Sequence, residues 1–236
     1  MRYIDILRGL FQRKMVVLVI AVVLLFVVLF NSGMFGGNDK RVKISCVGDS
    51  LTYGSGVLET RELDSYPAQL QTKLGTSYLV SNYGLRNATA SESGDLSYLQ
   101  SDEYFSSLRS SPDIVVLMLG TNDAKTYNWD SKAYKEGLGE LVDTYIQLKT
   151  HPTVYLMRCP YCYSLDGGSV AEYDIQPEVV ASQVSECIEA VAEEKGCQVI
   201  DLYAVTEGRD ELYTDGIHFN ADGYSVIADT VYDYVK

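Results

Sequence analysis

The hydrophobic pattern divides the chain into one long apolar run near its start and an alternation of shorter runs after it. The long run extends from Met15 to Phe30 without a polar residue. From Val42 onward, short apolar runs typical of buried strands alternate with stretches whose apolar residues recur at helical spacing. The two parts therefore predict different structures.

The short apolar runs after Val42 predict the strands of one sheet. The strongest is the stretch from Asp113 to Leu119, which is apolar after its first residue, as expected for a central strand of a parallel sheet. The other strands are predicted at Val42 to Val47, Tyr78 to Ser81, Thr153 to Met157 and Gln198 to Leu202.

Amphipathic stretches between these runs predict helices. They cover Tyr66 to Leu74, with Pro67 in the first turn, Ser131 to Lys149, and Glu178 to Lys195. Asn220 is expected to cap a last helix that runs to the end of the chain. Because strand and helix alternate, the predicted fold is a three-layer α/β/α sandwich with a mainly parallel, flavodoxin-like sheet.

The long apolar run predicts a membrane anchor. Its 16 residues extend about 24 Å as a helix, and continuing to Phe35 reaches the ~30 Å of a hydrocarbon core. We therefore expect a cytoplasmic segment at residues 1–14, a transmembrane helix at 15–35, a linker at 36–41 and one domain at 42–236.

Charges around the run predict its orientation. Arg13 and Lys14 directly precede it and favour a cytoplasmic amino terminus, although Lys40, Arg41 and Lys43 follow it. The domain is then extracytoplasmic, in a single-pass protein of the cell membrane. A cleaved signal peptide that releases the domain is the alternative, but the run is long and no Ala-x-Ala follows it.

Charge also excludes one class of partner. The first 37 residues hold four basic residues and one acidic residue, so the rest of the chain carries 15 basic and 31 acidic residues. So acidic a domain is unsuited to nucleic acid, which needs a basic face. The five cysteines show no metal-finger spacing, and no metal site is predicted.

Polar clusters follow several of the predicted strands. In a parallel sheet the carboxyl ends of the strands share one edge, where loops build binding and active sites. We therefore expect one site from the loops at residues 48–51, 82–84, 120–123 and 215–218.

These loops contain a nucleophile and its partners. Ser50 follows the first strand, and its hydroxyl becomes a good nucleophile only when a base takes its proton. The chain has two histidines, and His151 is interpreted as a surface turn residue on the opposite edge of the sheet. His218 is therefore the predicted base, and Asp215, three residues earlier, can hold the other ring nitrogen.

Asn122, at the end of the central strand, is a candidate oxyanion donor. Its side-chain amide can stabilise a developing negative charge together with main-chain N–H groups. Asp123 is interpreted as a residue that orders the same turn.

Three of these loops resemble, in order, the sequence blocks of the SGNH/GDSL hydrolase family of esterases and lipases. They read Gly48-Asp49-Ser50-Leu51, Gly120-Thr121-Asn122-Asp123 and Asp215-Gly216-Ile217-His218. The resemblance covers about Lys43 to Lys236. It implies the SGNH hydrolase fold and hydrolysis of ester or thioester bonds through an acyl-serine, without metal or cofactor. It also implies that Ser50 and Asn122 bind the oxyanion.

One block departs from the family pattern. Residues 82–87 resemble the second block, which usually ends in a glycine that donates a main-chain N–H to the oxyanion, but here the residue is Asn87. Asparagine tolerates left-handed backbone angles better than most residues, so we keep Asn87 as the expected donor. Gly84 is the alternative donor.

The cysteines leave a question open. Cys159 and Cys162 leave a strand for a loop and could form a local disulfide if the domain lies outside the cell. Cys187 and Cys197 are expected to be free thiols or a second bridge.

The leading functional hypothesis is a monomeric, membrane-tethered serine esterase. Its substrate is an acylated small molecule or glycan, with short chains such as acetyl on an envelope or extracellular carbohydrate. A lysophospholipase or thioesterase acting on lipid-derived substrates is one alternative. An O-acyltransferase is another, and a catalytically idle binding module is a third.

Overall fold

The computed structural model describes residues 14–26, residue 28 and residues 39–236, and the chain divides into two units between Lys40 and Arg41. In the first unit, residues 14–26 form a helix with exposed side chains. Among the described residues, no helix combines the length and the hydropathy that a membrane crossing requires. The described residues by themselves therefore do not support the predicted anchor at residues 15–35, which extends beyond them. The described residues leave out most of the predicted segment at 1–14. They also leave out parts of the predicted anchor and of the predicted linker at 36–41.

The second unit contains, within the described residues, one sheet of five parallel strands in the order β2-β1-β3-β4-β5. This is the flavodoxin-like order, so the predicted sheet is confirmed. The strands are β1 (Val42–Gly48), β2 (Tyr78–Gly84), β3 (Ile114–Met118), β4 (Thr153–Arg158) and β5 (Gln198–Asp201).

Helices connect these strands. They are α1 (Ser50–Tyr53), α2 (Arg61–Asp64), α3 (Tyr66–Leu74), α4 (Asp102–Arg109), α5 (Ser131–Ile146), α6 (Pro177–Val179), α7 (Ser185–Lys195), α8 (Leu202–Thr206) and α9 (Ala221–Val235). A π-helical turn, Val180–Val184, joins α6 to α7.

Neighbouring residues of β1 show that helices cover both faces of the sheet. The Ser45 hydroxyl lies 3.1 Å from that of Ser110, which directly follows α4. The next side chain, Cys46, faces Tyr66 of α3. Because successive side chains of a strand point to opposite faces, α3 and α4 lie on opposite sides of the sheet. The three-layer prediction is therefore confirmed.

Side-chain caps begin the helices near the predicted positions. Asp130 accepts the N–H groups of Lys132 and Ala133, both at 2.9 Å, and starts α5. Asn220 accepts the N–H of Gly223 at 3.0 Å and starts α9, as predicted.

Two predicted boundaries were wrong. Helix α5 ends at Ile146 rather than Lys149. Strand β2 continues to Gly84, so Asn82 lies inside the strand and not in a loop after it. The strand extends because the Asn82 amide finds an acceptor at the carbonyl of Thr52 (2.9 Å), which lets a polar side chain remain half-buried.

Buried tyrosines hold the ends of two strands where the loops begin. The Tyr98 hydroxyl donates to the Tyr83 carbonyl at 2.7 Å, and the Tyr134 hydroxyl donates to the Leu119 carbonyl at 2.9 Å. Both rings are fully buried. The carboxyl-terminal edge of the sheet is therefore held by the core itself.

Candidate active site

The turn between β1 and α1 places Ser50 at the start of a helix. A side chain at Gly48 would lie 2.2 Å from the Thr52 hydroxyl and 2.5 Å from the Met118 carbonyl, so only glycine fits there. Asp49 caps the helix by accepting the N–H of Leu51 at 2.9 Å. The N–H of Ser50 belongs to the first turn, where a helix provides no internal acceptor.

His218 and Asp215 complete a chain of contacts from Ser50. His218 Nε2 lies 3.0 Å from Ser50 Oγ, and His218 Nδ1 lies 2.7 Å from Asp215 Oδ2. Ser50 is 8% exposed, so its hydroxyl is sheltered but reachable. The structure therefore brings together the three residues that the sequence predicted as nucleophile, base and acid.

The second carboxylate oxygen of Asp215 shapes the loop itself. Asp215 Oδ1 accepts the main-chain N–H groups of Ile217 at 3.0 Å and His218 at 2.7 Å. Burial raises the pKa of Asp215, but the hydrogen bonds from His218 and Ile217 outweigh burial, so this pKa lies below its usual value. Asp215 is therefore a carboxylate at neutral pH.

Asn122 lies next to the Ser50 turn. It is buried, and its Nδ2 is 3.1 Å from the Ala88 carbonyl and 3.4 Å from Asp49 Oδ2. The second distance is long for a hydrogen bond. The side-chain amide thus connects the loops after β1, β2 and β3 at one point.

Asp123 fastens the loop after β2 to the loop after β3. Its carboxylate accepts the N–H groups of Ala90 at 3.0 Å and Ser91 at 2.9 Å. Burial raises the pKa of Asp123 to about 6, and these two hydrogen bonds oppose that rise. The structure gives Asp123 the ordering contacts that the sequence suggested.

Asn87 and Gly84 differ clearly as candidate oxyanion donors. Asn87 is exposed and has a φ of 66°, the left-handed conformation expected for it. The N–H of Gly84, in contrast, donates to Asn82 Oδ1 at 2.9 Å within β2. A side chain at Gly84 would also lie 2.1 Å from the Tyr53 nitrogen. Gly84 therefore serves close packing against α1, and its N–H already has an acceptor inside the strand.

The cysteines do not form the suggested bridges. Cys159, Cys162, Cys187 and Cys197 are free thiols. Burial raises the pKa of Cys162 to about 12 and that of Cys159 further, so both stay protonated. His151 is an exposed turn residue, as predicted.

The sequence did not reveal two residues near the site. Asp49 is fully buried between Ser50 and Asn122, and burial raises its pKa to about 7. Its position as a helix cap was a usable signal. Tyr173 lies with its ring centroid 5.5 Å from that of His218, in an edge-to-face arrangement. No local pattern marks Tyr173, which stands in an irregular loop far from His218 in sequence.

The chain is similar to a known family and to several characterised proteins. Residues 46–226 match the GDSL-like Lipase/Acylhydrolase family. An acetylxylan esterase of Xylanibacter ruminicola is 28% identical over 211 residues, which are 84% of this chain and 44% of that protein. This chain therefore spans less than half the length of that relative.

Solved structures share the fold. Est24, a carbohydrate acetylesterase from Sinorhizobium meliloti, superimposes with a TM-score of 0.64 at 21% identity, covering 83% of this chain and 98% of Est24. A lipase/acylhydrolase from Enterococcus faecalis gives 0.61 at 24% identity, covering 83% of this chain and 95% of its own. The family match covers well over half of the chain and includes the loops of Ser50, Asn122 and His218. The chain therefore belongs to the GDSL-like lipase/acylhydrolase family.

Proposed function

We propose that this protein is a serine esterase that removes short acyl groups, acetyl in particular, from carbohydrate hydroxyls through an acyl-serine intermediate. The observation that carries the mechanism is the contact chain from Ser50 Oγ to His218 Nε2 (3.0 Å) and from His218 Nδ1 to Asp215 Oδ2 (2.7 Å). This geometry is that of an activated nucleophile with an oriented base.

Acylation begins when Ser50 Oγ attacks the carbonyl carbon of the ester while His218 Nε2 takes the hydroxyl proton. The carbonyl oxygen becomes an oxyanion and the ring becomes an imidazolium. Asp215, ionised because its pKa is lowered, stabilises that imidazolium through Nδ1–H. When the tetrahedral intermediate collapses, His218 returns the proton to the departing alcohol oxygen, and Ser50 keeps the acyl group.

Deacylation repeats these steps with water. His218 takes a proton from water, whose oxygen attacks the acyl carbon, and the carboxylic acid leaves as the proton returns to Ser50 Oγ. The proposed oxyanion donors are the N–H of Ser50, Asn122 Nδ2 and the N–H of Asn87. The long contact from Asn122 Nδ2 to Asp49 Oδ2, 3.4 Å, leaves that N–H able to turn to a stronger acceptor.

The acetylated carbohydrate substrate is supported by similar proteins. An acetylxylan esterase and a carbohydrate acetylesterase are both similar to this chain. The apolar run at Met15 to Phe30, with cations before it, favours a tethered and extracytoplasmic domain, where such glycans are found. The tether, its orientation and a monomeric domain remain parts of this proposal.

The test is a comparison of esters with the full-length protein in detergent. We expect release of acetate from para-nitrophenyl acetate and from an acetylated xylo-oligosaccharide, and little turnover of para-nitrophenyl palmitate or lysophospholipid. Preference for the long-chain substrates would contradict the proposal and favour the lysophospholipase alternative. Transfer of acetyl to an added sugar in place of hydrolysis would favour the acyltransferase.

Replacing the nucleophile tests the mechanism. Ser50→Ala removes the only group that can hold the acyl chain, so we expect turnover to fall by about five to six orders of magnitude. Ser182→Ala, on an exposed helical surface, is the matched control and should keep full activity. An acyl-enzyme trapped by mass spectrometry on wild type but not on Ser50→Ala completes the test. Activity of Ser50→Ala near the wild-type level would reject the assignment.

A further inference from the structure

Tyr173 is an exposed aromatic residue in contact with the proposed catalytic base. Its ring lies edge-to-face with His218, with centroids 5.5 Å apart and planes at 72°. Yet 55% of Tyr173 remains exposed, because His218 covers only one part of the ring. The esterase mechanism above assigns no role to this side chain. A large apolar ring is thus presented to solvent beside the bond-breaking atoms.

The backbone holds this ring in place at the expense of local strain. Tyr173 has a φ of 66° and Asp174 a φ of 60°, two successive left-handed residues without glycine. Such conformations persist only when the surroundings hold them, and they concentrate at functional sites.

Two hydrogen bonds provide that hold. The Ala171 N–H donates to the Ile175 carbonyl at 2.8 Å, and the Thr126 N–H donates to the Asp174 carbonyl at 3.0 Å. The second bond attaches the Tyr173 segment to the loop that carries Asn122, so the ring has a defined place relative to the proposed oxyanion site.

A surface depression adjoins the ring. Residues 164–174 frame an open volume of about 300 Å³ that includes Tyr173. Its lining offers oxygen atoms from Ser164, Asp166 and Glu172 and the apolar side chain of Leu165, which is 61% exposed. Hydroxyl and carboxylate oxygens accept hydrogen bonds from a ligand's hydroxyl groups, while apolar side chains cover its carbon-bound faces.

This composition fits an uncharged polyol with apolar faces better than a lipid headgroup. The carboxylates of Asp166, Glu172 and Asp174 would repel the phosphate of a lysophospholipid. A pyranose ring has both required features, hydroxyl groups at its edge and C–H groups on its faces.

We propose that Tyr173 and the loop at residues 164–174 form a sugar-binding subsite, in which the Tyr173 ring stacks on a pyranose of the acylated glycan. The subsite places the ester oxygen of that sugar or its neighbour next to His218 Nε2, which must protonate it as it leaves. This inference rests on the proposed carbohydrate esterase function and names a residue that selects the substrate.

The test compares one substrate that has a sugar with one that has none. Removal of the ring by Tyr173→Ala should raise the KM for an acetylated xylo-oligosaccharide about tenfold, the effect of losing one apolar ring contact, while kcat is unchanged. The KM and kcat for para-nitrophenyl acetate should stay within about twofold. Tyr173→Phe keeps the ring and should behave like wild type on both substrates.

Two further variants are controls. One tests whether backbone strain causes the effect, and the other tests whether loss of any exposed tyrosine would cause it. Tyr173→Gly removes the ring and also relieves the left-handed backbone, so it should reproduce the Tyr173→Ala result if the ring is responsible. Tyr234→Ala removes a tyrosine that is 40% exposed and also makes an edge contact, to Tyr155, near the far end of α9. Tyr234→Ala should leave KM and kcat unchanged for both substrates.

A binding measurement keeps the test independent of turnover. In a Ser50→Ala background, calorimetry should detect the acetylated xylo-oligosaccharide, and adding Tyr173→Ala should weaken that binding about tenfold.

Several outcomes would overturn the inference. If Tyr173→Ala slows both substrates equally or shifts the pH profile on para-nitrophenyl acetate, Tyr173 acts by positioning His218 and not by binding sugar. Unchanged kinetics on the oligosaccharide would also reject the subsite. If wild type hydrolyses para-nitrophenyl acetate but no acetylated oligosaccharide, the proposed function itself fails, and this is seen before any variant is made.

Discussion

At the scale of single residues, Asp215 divides its two oxygens between the ring and the main chain of His218. One oxygen meets Nδ1 at 2.7 Å, and the other accepts the N–H groups of Ile217 and His218. The left-handed Gly216 (φ 81°) lets the loop turn so tightly, and a side chain there would lie 2.4 Å from the Tyr163 carbonyl. A short segment thus provides both the proposed acid and the geometry that directs the ring of His218, the proposed base, to Ser50.

Replacing Asp215 by asparagine should separate charge from shape. Asp215→Asn keeps an acceptor for the main-chain N–H groups but removes the negative charge and can hold the imidazole in the wrong tautomer. We expect kcat on para-nitrophenyl acetate to fall by roughly 10⁴ with the fold retained. Asp222→Asn, an exposed acid in the first turn of α9, is the control and should be near wild type. A loss of less than about tenfold in Asp215→Asn would contradict the assignment.

At the scale of elements, the loops after β2 and β3 are fastened to each other at the carboxyl edge of the sheet. Asp123 accepts two N–H groups from the loop after β2, and Asn122 reaches the Ala88 carbonyl of that same loop. Asn87 directly precedes these attachments and is itself exposed. Neighbouring residues therefore position the backbone of Asn87, and its side chain is not needed for this.

This arrangement predicts the effect of substitutions at Asn87. Because the proposed oxyanion donor is the main-chain N–H, and glycine accepts a φ of 66° without strain, Asn87→Gly should keep turnover within about threefold of wild type. Asn122→Ala removes a side-chain donor and should lower kcat by about 10² to 10³. Steady-state kinetics on para-nitrophenyl acetate measures both. If a folded Asn87→Gly is as damaged as Asn122→Ala, the side chain of Asn87 is functional.

The packing of β2 against α1 predicts a stability effect. A methyl group at Gly84 would collide with backbone atoms of Tyr53 and Thr52, which cannot give way as a flexible side chain can. We expect Gly84→Ala to lower the free energy of unfolding by about 1–3 kcal/mol. Gly139→Ala is the matched control, since its added methyl group would meet only Lys195 Cε at 3.8 Å. Because Gly139 lies in the middle of α5, Gly139→Ala should raise the free energy of unfolding by about 0.5–1 kcal/mol. Urea titrations that rank the two variants in the opposite order would refute this packing argument.

At the scale of the whole molecule, the domain is acidic and buries carboxyl groups beside the proposed site. Asp49 and Asp123 are buried within the core of the loop region. Burial raises the pKa of Asp49 to about 7 and that of Asp123 to about 6, from an ordinary value of 3.8. The folded state thus holds protons that the unfolded chain has already released.

We therefore expect the domain to become less stable as the pH rises. Between the unfolded and folded pKa values the folded state binds more protons, so the free energy of unfolding falls as pH rises through this window. We expect urea titrations to give a more stable protein at about pH 5 than at about pH 7.5, and Asp49→Asn to reduce the difference. Asp166→Asn is the control. Hydrogen bonds lower the pKa of Asp166, so its effect on stability is confined to pH values below about 3.8. Equal stability at the two pH values would contradict the prediction.

The sequence by itself predicted the five strands in order, the longest helices between and after them, and the loops of the candidate site. Strand β1, helix α3 and the cap of α9 were predicted to within a residue or two, since strand runs, caps and helical periodicity depend on neighbours a few positions apart. The loops of Ser50 and His218 were predicted to meet for a related reason: the carboxyl ends of parallel strands must share one edge of the sheet.

The tertiary structure decided what depends on packing between distant segments. Ser50 and His218 are 168 residues apart, and only the folded sheet brings their atoms to 3.0 Å. The same packing engages the N–H of Gly84, holds Asn87 in a left-handed conformation and sets Tyr173 beside His218. No local pattern encodes these contacts, because each depends on the burial and backbone angles of a segment far away in the sequence.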